Sequence, residues 1–479
     1  MTGHDVVVIG AGPAGLAAAA TAADAGCRVA LLDAGPRPGG QYWRHRAGAD
    51  GREHQEWSTF AGLRARLHRV DRRADAAVWF VESHPGAEAA GPGFAVHTGA
   101  GVVHGRRLVI ATGAHDRVVP FPGWELPGVV TAGGAQALLK GQGVVFGQRV
   151  VVAGTGPFLL PVATGLAGAG STVVGVYEAN DLAGYVRRFR QVLGAAGKLT
   201  EAGRYGWQLL RHRVPYHHRM AVVAAHGTDR LTGLTVAAVD ARGAVLPGSE
   251  SQVECDGLAV GFGFTPQVEL PVALGCATRL DGDGSLVVDV GPDQATSVPG
   301  VYAAGEVTGV GGAGLALVEG QLAGGAAAVS LGRPLPWSTG RQDRLLRTRH
   351  RLRRFAAALH AVHPVPARWP DRCDDDTLVC RCEEVSVGAV RQAVRELSAS
   401  DARGAKLLTR AGMGWCQGRV CGYATACLTA REAARRPGAA DLAGYASRPL
   451  AQPITLSELA AGQAADQPWR PRRSGTADG

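Results

Sequence analysis

Four of the nine cysteines form two close pairs near the C-terminus and could bind a metal centre. One residue separates Cys380 from Cys382, four residues separate Cys416 from Cys421, and thirty-three lie between the pairs. Four thiolates brought together in this way suit an iron–sulfur cluster or a structural zinc ion. The spacing matches neither the bacterial nor the plant ferredoxin pattern. The ligand set by itself therefore leaves iron–sulfur, zinc and purely structural cysteines open.

The segment between the two cysteine pairs predicts a helix. Ser386 can cap it, and its apolar positions fall on one face: Val387, Val390, Val394 and Leu397. Glycines surround the second pair, at positions 412, 414, 418 and 422. They permit tight turns whose N–H groups can point at sulfur and stabilise an anionic cluster.

A complete dinucleotide-binding pattern opens the chain. An apolar run at residues 5–9 predicts a buried strand, an Ala-rich helix follows, and a second strand ends at Asp33. The glycines make the turn, admit the pyrophosphate and allow close helix–strand packing, while the acid can accept from a ribose hydroxyl. The predicted cofactor contacts are Gly10, Gly12, Pro13, Ala14, Gly15 and Asp33.

Three later segments resemble those of FAD-binding proteins with two dinucleotide domains, such as the disulfide reductases. A glycine pair follows Asp33, a strand ends in an Ala-Thr-Gly turn, and a third segment carries an acid expected to bond the ribityl chain of the flavin. That acid is a glutamate, one methylene longer than the usual aspartate. The predicted FAD contacts here are Gly40, Gln41, Arg44, Thr112, Gly113, Gly305 and Glu306.

A second strand–loop–helix unit begins at residue 149 and carries Gly154 and Gly156. Its third glycine position is Leu159, which departs from the full pattern, and a following strand ends in Glu178. A carboxylate at that place favours NAD over NADP because it repels a 2′-phosphate. The unit therefore predicts NAD(H) or another adenine nucleotide, or else a domain kept only for structure.

The flavin motifs bear on the choice of metal. Zinc cannot carry electrons, whereas a flavoprotein needs an electron outlet, so we predict a [2Fe–2S] cluster at the four cysteines. No redox cysteine pair lies beside the FAD motifs, and no nucleophile–base arrangement emerges, so no catalytic residue is predicted. Tyr42, His45, His115 and Trp124 are interpreted as packing or flavin-contact residues.

Composition and charge narrow the function classes. The chain has 479 residues, enough for several domains, and no apolar stretch long enough to span a membrane. The first apolar run leaves no room for a signal peptide, so we expect a cytoplasmic protein. The net charge of +9 includes seven arginines between Arg341 and Arg354, which predict an amphipathic helix with a solvated basic face. That face could dock an acidic partner; without a reader motif we do not expect nucleic-acid binding.

The whole pattern resembles the large FAD/NAD-type subunits of heteromeric amino-acid and opine dehydrogenases. The resemblance rests on residues 112–136 and on residues 409–421, which include the second cysteine pair, and it runs from about residue 4 to about 460. The group includes the large subunit of opine oxidase, the corresponding hydrogen cyanide synthase subunit and part of the large sarcosine oxidase subunit.

The resemblance implies an α/β fold with two Rossmann-like domains of the disulfide-reductase type and a small helical [2Fe–2S] domain. It implies an FAD domain at 1–115 and 257–335, interrupted by a nucleotide domain at 116–256. A basic helix and linker would occupy 336–372, and a domain resembling bacterioferritin-associated ferredoxin would occupy 373–445. A tail would follow at 446–479, disordered from about Trp469.

The resemblance also implies a function. A partner protein that contains FAD would oxidise a small-molecule amine, and electrons would pass through the FAD and cluster of this chain; a further small ferredoxin-like partner is compatible with this arrangement. Two alternatives stay open. The chain could be a self-sufficient NADH-dependent reductase, or a scaffold that binds nucleotide without turnover.

Overall fold

Each glycine-rich loop follows a central strand of a parallel sheet. The computed structural model describes residues 3–51, 54–84, 93–181, 183–187 and 196–464. The predicted disorder from Trp469 onward concerns residues outside these ranges. The first segment contains β1 (His4–Ile9), α1 (Pro13–Asp24), β2 (Val29–Leu32), α2 (Trp57–Arg66), β3 (Val70–Arg73), β4 (Val78–Ser83), β5 (Phe94–Thr98) and β6 (Gly101–Ile110).

The second segment forms the middle of the chain. Its elements are β7 (Ala114–Asp116), β8 (Val129–Thr131), α3 (Ala132–Gln142), β9 (Arg149–Gly154), α4 (Leu159–Gly168), β10 (Thr172–Glu178), α5 (Ala183–Arg187), α6 (Ala196–Arg211), β11 (Tyr216–His218), β12 (Met220–His226), β13 (Gly233–Ala238), β14 (Ser251–Glu254) and β15 (Gly257–Gly261).

The chain then returns to the first sheet and continues into a long helix. The elements here are β16 (Phe264–Pro266), α7 (Glu269–Ala273), β17 (Thr278–Leu280), β18 (Leu286–Val288), β19 (Val301–Ala303), α8 (Ala313–Val329) and α9 (Thr339–Val362). The last segment contains β20 (Leu378–Cys380), β21 (Val385–Ser386), α10 (Val387–Arg395), α11 (Ala402–Thr409), α12 (Gly422–Glu432), α13 (Ala439–Ala446) and α14 (Leu456–Ala464).

Two sheets organise the nucleotide-binding part. The first has the order β3-β2-β1-β6-β5-β4, and β19 pairs with β6. Strands β1, β2, β3, β6 and β19 run parallel, while β5 and β4 continue from β6 as an antiparallel ribbon. The second sheet, β11-β10-β9-β15-β8, is parallel throughout. The short pair β7–β16 joins the two where the chain leaves the first sheet and comes back.

Small residues allow helices α1 and α8 to pack closely. A β-carbon at Gly320 would lie 2.1 Å from the carbonyl oxygen of Ala14, and one at Gly324 would lie 2.3 Å from that of Ala18. Both distances are far inside van der Waals contact, so only glycine fits. The Ala-rich sequence of α1 is thus buried between the first sheet and α8, which fixes the start of α1 beneath the first glycine loop.

The C-terminal segment is helical, as expected, with one difference in detail. The hydroxyl of Ser386 accepts a hydrogen bond from the N–H of Ala389 at 3.2 Å and caps α10, and Val387 and Val390 are fully buried. The helix ends at Arg395, so the expectation for Leu397 was wrong. That residue lies beyond the helix and is exposed, because the chain turns at Ser398 with a positive φ.

Candidate functional site

The first glycine loop has no room for side chains. Gly10 has a φ of +100°, and a β-carbon there would lie 2.3 Å from the carbonyl oxygen of Ala111. A β-carbon at Gly15 would lie 1.7 Å from the carbonyl oxygen of Gly10. Gly12 faces open space except for Gly40, whose own β-carbon would lie 2.8 Å from the Cα of Gly12. The loop therefore presents bare backbone at the N-terminus of α1, where a pyrophosphate binds favourably.

Asp33 holds this loop in shape. Its carboxylate accepts hydrogen bonds from the N–H of Ala11 at 2.5 Å and from the N–H of Gly35 at 2.7 Å. Burial raises the pKa of Asp33, although both N–H groups act in the opposite direction. The side chain also lines the adjoining cavity, so its remaining lone pairs face the place expected for a ribose.

A cavity of about 2570 Å³ extends from the first glycine loop to the second. Most of the predicted contacts line it: Gly10, Gly12, Pro13, Ala14, Asp33, Gly40, Gln41, Arg44, Thr112, Gly113, Gly156, Gly305 and Glu306. Gln41 and Arg44 are bonded to each other, from Nε of Arg44 to Oε1 of Gln41, at 3.1 Å. Gly15, Gly154 and Glu178 do not line the cavity. The volume and the bare loop at its floor fit a dinucleotide as large as FAD.

Glu306 also lines this cavity. Its carboxylate accepts from the N–H of Gly312 at 2.8 Å and from that of Gly311 at 3.4 Å. Burial raises the pKa of Glu306 to about 7 in spite of these bonds. Near neutral pH the group can thus hold a proton, which lets it donate to an oxygen as well as accept.

The second glycine loop is covered by the chain itself. Glu178 is fully buried, accepts from the N–H of Gly156 at 2.8 Å, and lies 3.2 Å from Nδ1 of His363. Nε2 of the same imidazole lies 2.7 Å from the hydroxyl of Tyr185. The amide of Asn180 donates to the carbonyl oxygen of Pro364 at 3.0 Å. Both oxygens of Glu178 therefore have partners within the chain, and the interpretation of Glu178 as a nucleotide contact stays a prediction.

The four predicted cysteine ligands come together. Sγ of Cys382 lies 3.9 Å from Sγ of Cys380 and 3.8 Å from Sγ of Cys416. Cys421 hydrogen-bonds to Cys380, which lowers the pKa of Cys380 to about 5. A thiol that is deprotonated readily is suited to bind a metal. The other five cysteines do not join this group in any contact between described residues.

Glycine backbone encloses these sulfurs. A β-carbon at Gly414 would lie 2.6 Å from Sγ of Cys382, and the N–H of Gly412 donates to the sulfur of Cys380. Gly412 and Gly418 both have positive φ values, of 85° and 78°. Four converging thiols, sulfur-directed N–H groups and a glycine cradle fit a [2Fe–2S] cluster.

Two of the residues interpreted as packing or flavin-contact side chains contact the cysteine-containing segment. The indole N–H of Trp124 donates to the carbonyl oxygen of Leu378 at 2.6 Å. Nε2 of His115 lies 2.8 Å from the carbonyl oxygen of Arg419, in the loop between Cys416 and Cys421. His115 also lines the cavity. Burial lowers the pKa of His115, which keeps the ring neutral with its proton on Nε2.

Tyr42 and His45 stay beside the flavin motifs. Both line the cavity, and Nδ1 of His45 lies 2.7 Å from the carbonyl oxygen of Trp43. The interpretation of these two residues as packing or flavin-contact side chains stays a prediction.

The contacts of two arginine side chains were not predicted from the sequence. Arg117 pairs with Asp283 at 2.9 Å, and its guanidinium lies 4.4 Å from the ring centroid of Tyr423 in α12. Arg419 pairs with Glu269 at 3.1 Å. The contact of Arg117 with Tyr423 and the pair of Arg419 with Glu269 each connect the cysteine-containing segment to the rest of the chain. Arg117 lies in the same segment, residues 112–117, that carried the resemblance, and this was the available signal.

The arginine-rich helix α9 is only partly solvated, which corrects the expectation of a simple basic face. The fully buried carboxylate of Glu319 in α8 pairs with Arg353 at 2.7 Å and with Arg349 at 3.3 Å. The same carboxylate accepts from the N–H of Gly305 at 3.1 Å, next to Glu306. The exposed arginines of α9 are Arg341, Arg344, Arg347, Arg351 and Arg354.

With this geometry in hand, comparison with known proteins gives the family. The profile of the pyridine nucleotide-disulphide oxidoreductase family matches residues 4–329. The chain belongs to this family. The BFD-like [2Fe–2S] binding domain matches residues 378–429, which include all four converging cysteines. The chain is therefore an oxidoreductase of the flavoprotein type, with FAD and a [2Fe–2S] cluster as its cofactors.

Relatives within the family are subunits of larger enzymes. The chain is 33% identical to the HcnB subunit of hydrogen cyanide synthase from Pseudomonas aeruginosa over 436 residues, which cover 87% of this chain and 91% of the relative. It is 34% identical to the large (A-type) opine oxidase subunit of Rhizobium meliloti over 481 residues, covering 95% and 98%. The alpha-type sarcosine oxidase subunit of a Corynebacterium species is 32% identical over 357 residues, covering 68% of this chain and 33% of the relative.

Solved structures agree on the fold. L-proline dehydrogenase from P. horikoshii superposes with a TM-score of 0.67 at 18% identity, covering 96% of this chain and 79% of that one. Thioredoxin reductase from T. acidophilum superposes with a TM-score of 0.50 at 24% identity, covering 69% and 99%.

Across the described part of the chain, none of the helices combines the length and the apolar character needed to cross a bilayer.

Proposed function

We propose that the chain is the electron-transfer subunit of a heteromeric dehydrogenase that oxidises an amino acid or opine at a CH–NH or CH–NH2 group. An FAD-containing partner protein would oxidise the amine, and the electrons would reach an acceptor through the FAD and the [2Fe–2S] cluster of this chain. When bound, FAD exchanges electrons in pairs or singly and the cluster exchanges them one at a time. The names of the relatives, opine oxidase and sarcosine oxidase, support this donor class.

The observation that carries the proposal is the bridge at His115. This residue lines the flavin-sized cavity and also bonds the carbonyl oxygen of Arg419 in the cysteine loop. One side chain thus contacts both the cavity and the loop that joins two of the cysteines. No cysteine is present among the described residues that line the cavity. A dithiol acceptor of the disulfide-reductase kind is therefore missing from the position where such enzymes need it.

The residues of the chain supply position and environment. The bare loop at Gly10 and Gly12 binds phosphate oxygens, and Asp33 orders that loop. Glu306 presents a carboxyl group of raised pKa to the cavity.

We propose the FAD-binding unit at 1–115 and 257–335, the inserted unit at 116–256, the basic helix and linker at 336–372, the cluster domain at 373–445, and a tail at 446–479. We also propose a cytoplasmic location.

The alternative of an NADH-dependent reductase has less support. It needs an occupied second nucleotide site, and Glu178 there is paired with His363 beneath the linker. A scaffold that binds nucleotide without turnover would not require the contact of His115 with both the cavity and the cysteine loop.

An anaerobic titration tests the proposal. The full chain, loaded with FAD and cluster, is mixed with NADH, and separately with sarcosine or L-proline in the presence of its co-expressed amine-oxidising partner. We expect the flavin and cluster absorption to bleach only with amine and partner together. Rapid bleaching of the isolated chain by NADH would establish the reductase instead, and loss of both routes would favour the scaffold.

A further inference from the structure

The four cysteine ligands are unequally buried, and the difference gives the cluster an inner and an outer side. Cys380 and Cys421 are each 1% exposed and belong to the hydrophobic cluster that also contains strands of the second sheet. Cys382 is exposed and Cys416 is half-buried. An acceptor protein that approaches from solvent would therefore meet the cluster at Cys382 and Cys416.

An exposed apolar side chain lies at this outer side. Trp415 is 78% exposed and directly precedes Cys416, while its other neighbour, Gly414, packs against the sulfur of Cys382. Leu407, in the last turn of α11, is 63% exposed. Large exposed apolar side chains often mark sites where another molecule binds. Tryptophan is frequent among the residues that contribute most to binding energy.

Cationic side chains lie close in sequence to the exposed apolar residues and to the outer cysteines. We define the outer cluster face as Arg381, Cys382, Glu383, Glu384, Arg403, Lys406, Leu407, Arg410, Trp415 and Cys416. The face has four cations and two acids, and one of the acids, Glu383, is already paired with Arg410 at 2.8 Å. Arg403 and Leu407 lie one helical turn apart on a single side of α11, and Arg410 directly follows the end of that helix. The net charge of +9 adds long-range attraction for an anionic partner.

We propose that the outer cluster face is the docking site of a one-electron carrier protein whose own redox centre is surrounded by acidic side chains. The apolar centre supplies contact, and the cationic rim supplies orientation and rate of association. A reduced cluster would give one electron to the redox centre of the carrier. No bond is made and no proton is transferred. This docking site rests on the proposed function in one respect, which is that electrons leave the chain through the cluster.

Matched probes of opposite charge test this site. Horse cytochrome c is a basic one-electron protein, and its lysine-succinylated derivative carries the same haem with acidic surface groups. Binding of each probe to the oxidised full chain is measured by biolayer interferometry at low salt. Reduction of each probe is then followed after the chain has been reduced with dithionite and the excess removed. Since dithionite supplies the electrons, failure of the proposed amine oxidation would not affect the result.

We expect the succinylated probe to bind and to be reduced about tenfold faster than the native one, with a preference that disappears at high salt. Trp415→Ala should slow its reduction about fivefold, and Arg410→Glu should remove the preference. Arg347→Glu is the matched control, because it makes the same charge change on an exposed arginine of α9 and should have no effect. Reduction of 1,4-benzoquinone, a small neutral acceptor, should be equal in all variants.

Three outcomes would overturn the proposal. These are equal rates for the two probes, equal effects of Arg410→Glu and Arg347→Glu, or competition between the probe and the amine-oxidising partner for the same face. If electron paramagnetic resonance shows that Trp415→Ala has lost its cluster, Leu407→Ala and Arg410→Glu carry the test.

Discussion

Nδ1 of His363 lies 3.2 Å from a carboxylate oxygen of Glu178, and both side chains are buried. Burial alone would raise the pKa of Glu178, but the hydrogen bond and charge of His363, with the N–H groups of Asn180 and Gly156, hold that pKa below its usual range. The acid of the second nucleotide loop therefore already has partners within the chain. A nucleotide ribose would have to displace the imidazole to reach it.

Removing His363 should open the second loop and weaken the fold. His363→Ala leaves Glu178 buried without its partner, which should cost about 3–5 kcal/mol of stability. We expect weak NADH binding in this variant and none in the native chain. Fluorescence titration with NADH measures the binding, and thermal melting measures the loss of stability.

His360→Ala is the control for that variant, because His360 lines the cavity from the same helix end and has no contact with Glu178 in the described structure. The double variant Glu178→Gln/His363→Ala should recover part of the lost stability, since no unpaired charge remains. Tight NADH binding by the native chain would show that the Glu178–His363 pair does not prevent nucleotide binding.

Gly15→Ala should abolish FAD binding. The added methyl group would meet the carbonyl oxygen of Gly10 at 1.7 Å, so the loop or α1 must move. Gly62→Ala places the same methyl group in α2, where no heavy atom lies within 4 Å, and should leave FAD content unchanged. Flavin released by heat denaturation is measured in both. Full FAD content in Gly15→Ala would mean that the cofactor does not depend on this loop.

Each of the four cluster cysteines should be required for iron. Replacement of Cys382 or Cys416 by serine should remove the iron signal and leave FAD bound, because the cavity lies in other elements. Cys427→Ser, in the neighbouring helix α12, should keep the cluster, since its thiol contacts Tyr423 instead. Iron analysis and electron paramagnetic resonance report the outcome. Unchanged iron in Cys416→Ser would show that the ligand set is different.

The pairing of α9 with Glu319 should be a major source of stability. Arg353→Ala removes the cation closest to a fully buried carboxylate, and we expect a loss of about 3 kcal/mol or more. Arg347→Ala, on the exposed side of the same helix, should change stability by about 0.5 kcal/mol or less. Thermal melting of the two variants compares them directly. Equal melting temperatures would mean that Arg349 alone satisfies Glu319.

The raised pKa of Glu306 predicts a pH dependence in the cofactor-free protein. Above its ordinary pKa of 4.5 the unfolded chain releases this proton, while the folded chain keeps it up to about pH 7. Stability from this group is therefore fully present below pH 4.5 and is lost as the pH rises to about 7. Melting temperatures of the native protein and of Glu306→Gln between pH 4.5 and 8 isolate the effect. Parallel curves would show that Glu306 titrates normally.

Local patterns determined the parts of the protein that depend on backbone shape and on neighbouring residues. The spacing of Gly10, Gly12 and Gly15 predicted the first loop, because only glycine tolerates the contacts with Ala111 and Gly10 itself. The apolar run at residues 5–9 predicted a buried strand, and the family resemblance implied the two Rossmann-like domains. The spacing of the cysteines predicted a ligand set whose members do lie together, although it left the choice between iron–sulfur and zinc open.

Only the tertiary structure decided how these parts are connected. His363 follows Glu178 by 185 positions, and Arg353 follows Glu319 by 34, so no periodicity relates either pair. His115 and Arg419 meet across 304 positions through a main-chain carbonyl oxygen, which has no residue signature at all. Such contacts depend on how whole elements pack, because burial brings together charges that are remote in sequence. The sequence by itself therefore predicted the cofactor loops, while the packing determined that Glu178 beside the second loop is paired with His363 and that His115 both lines the cavity and contacts the cysteine loop.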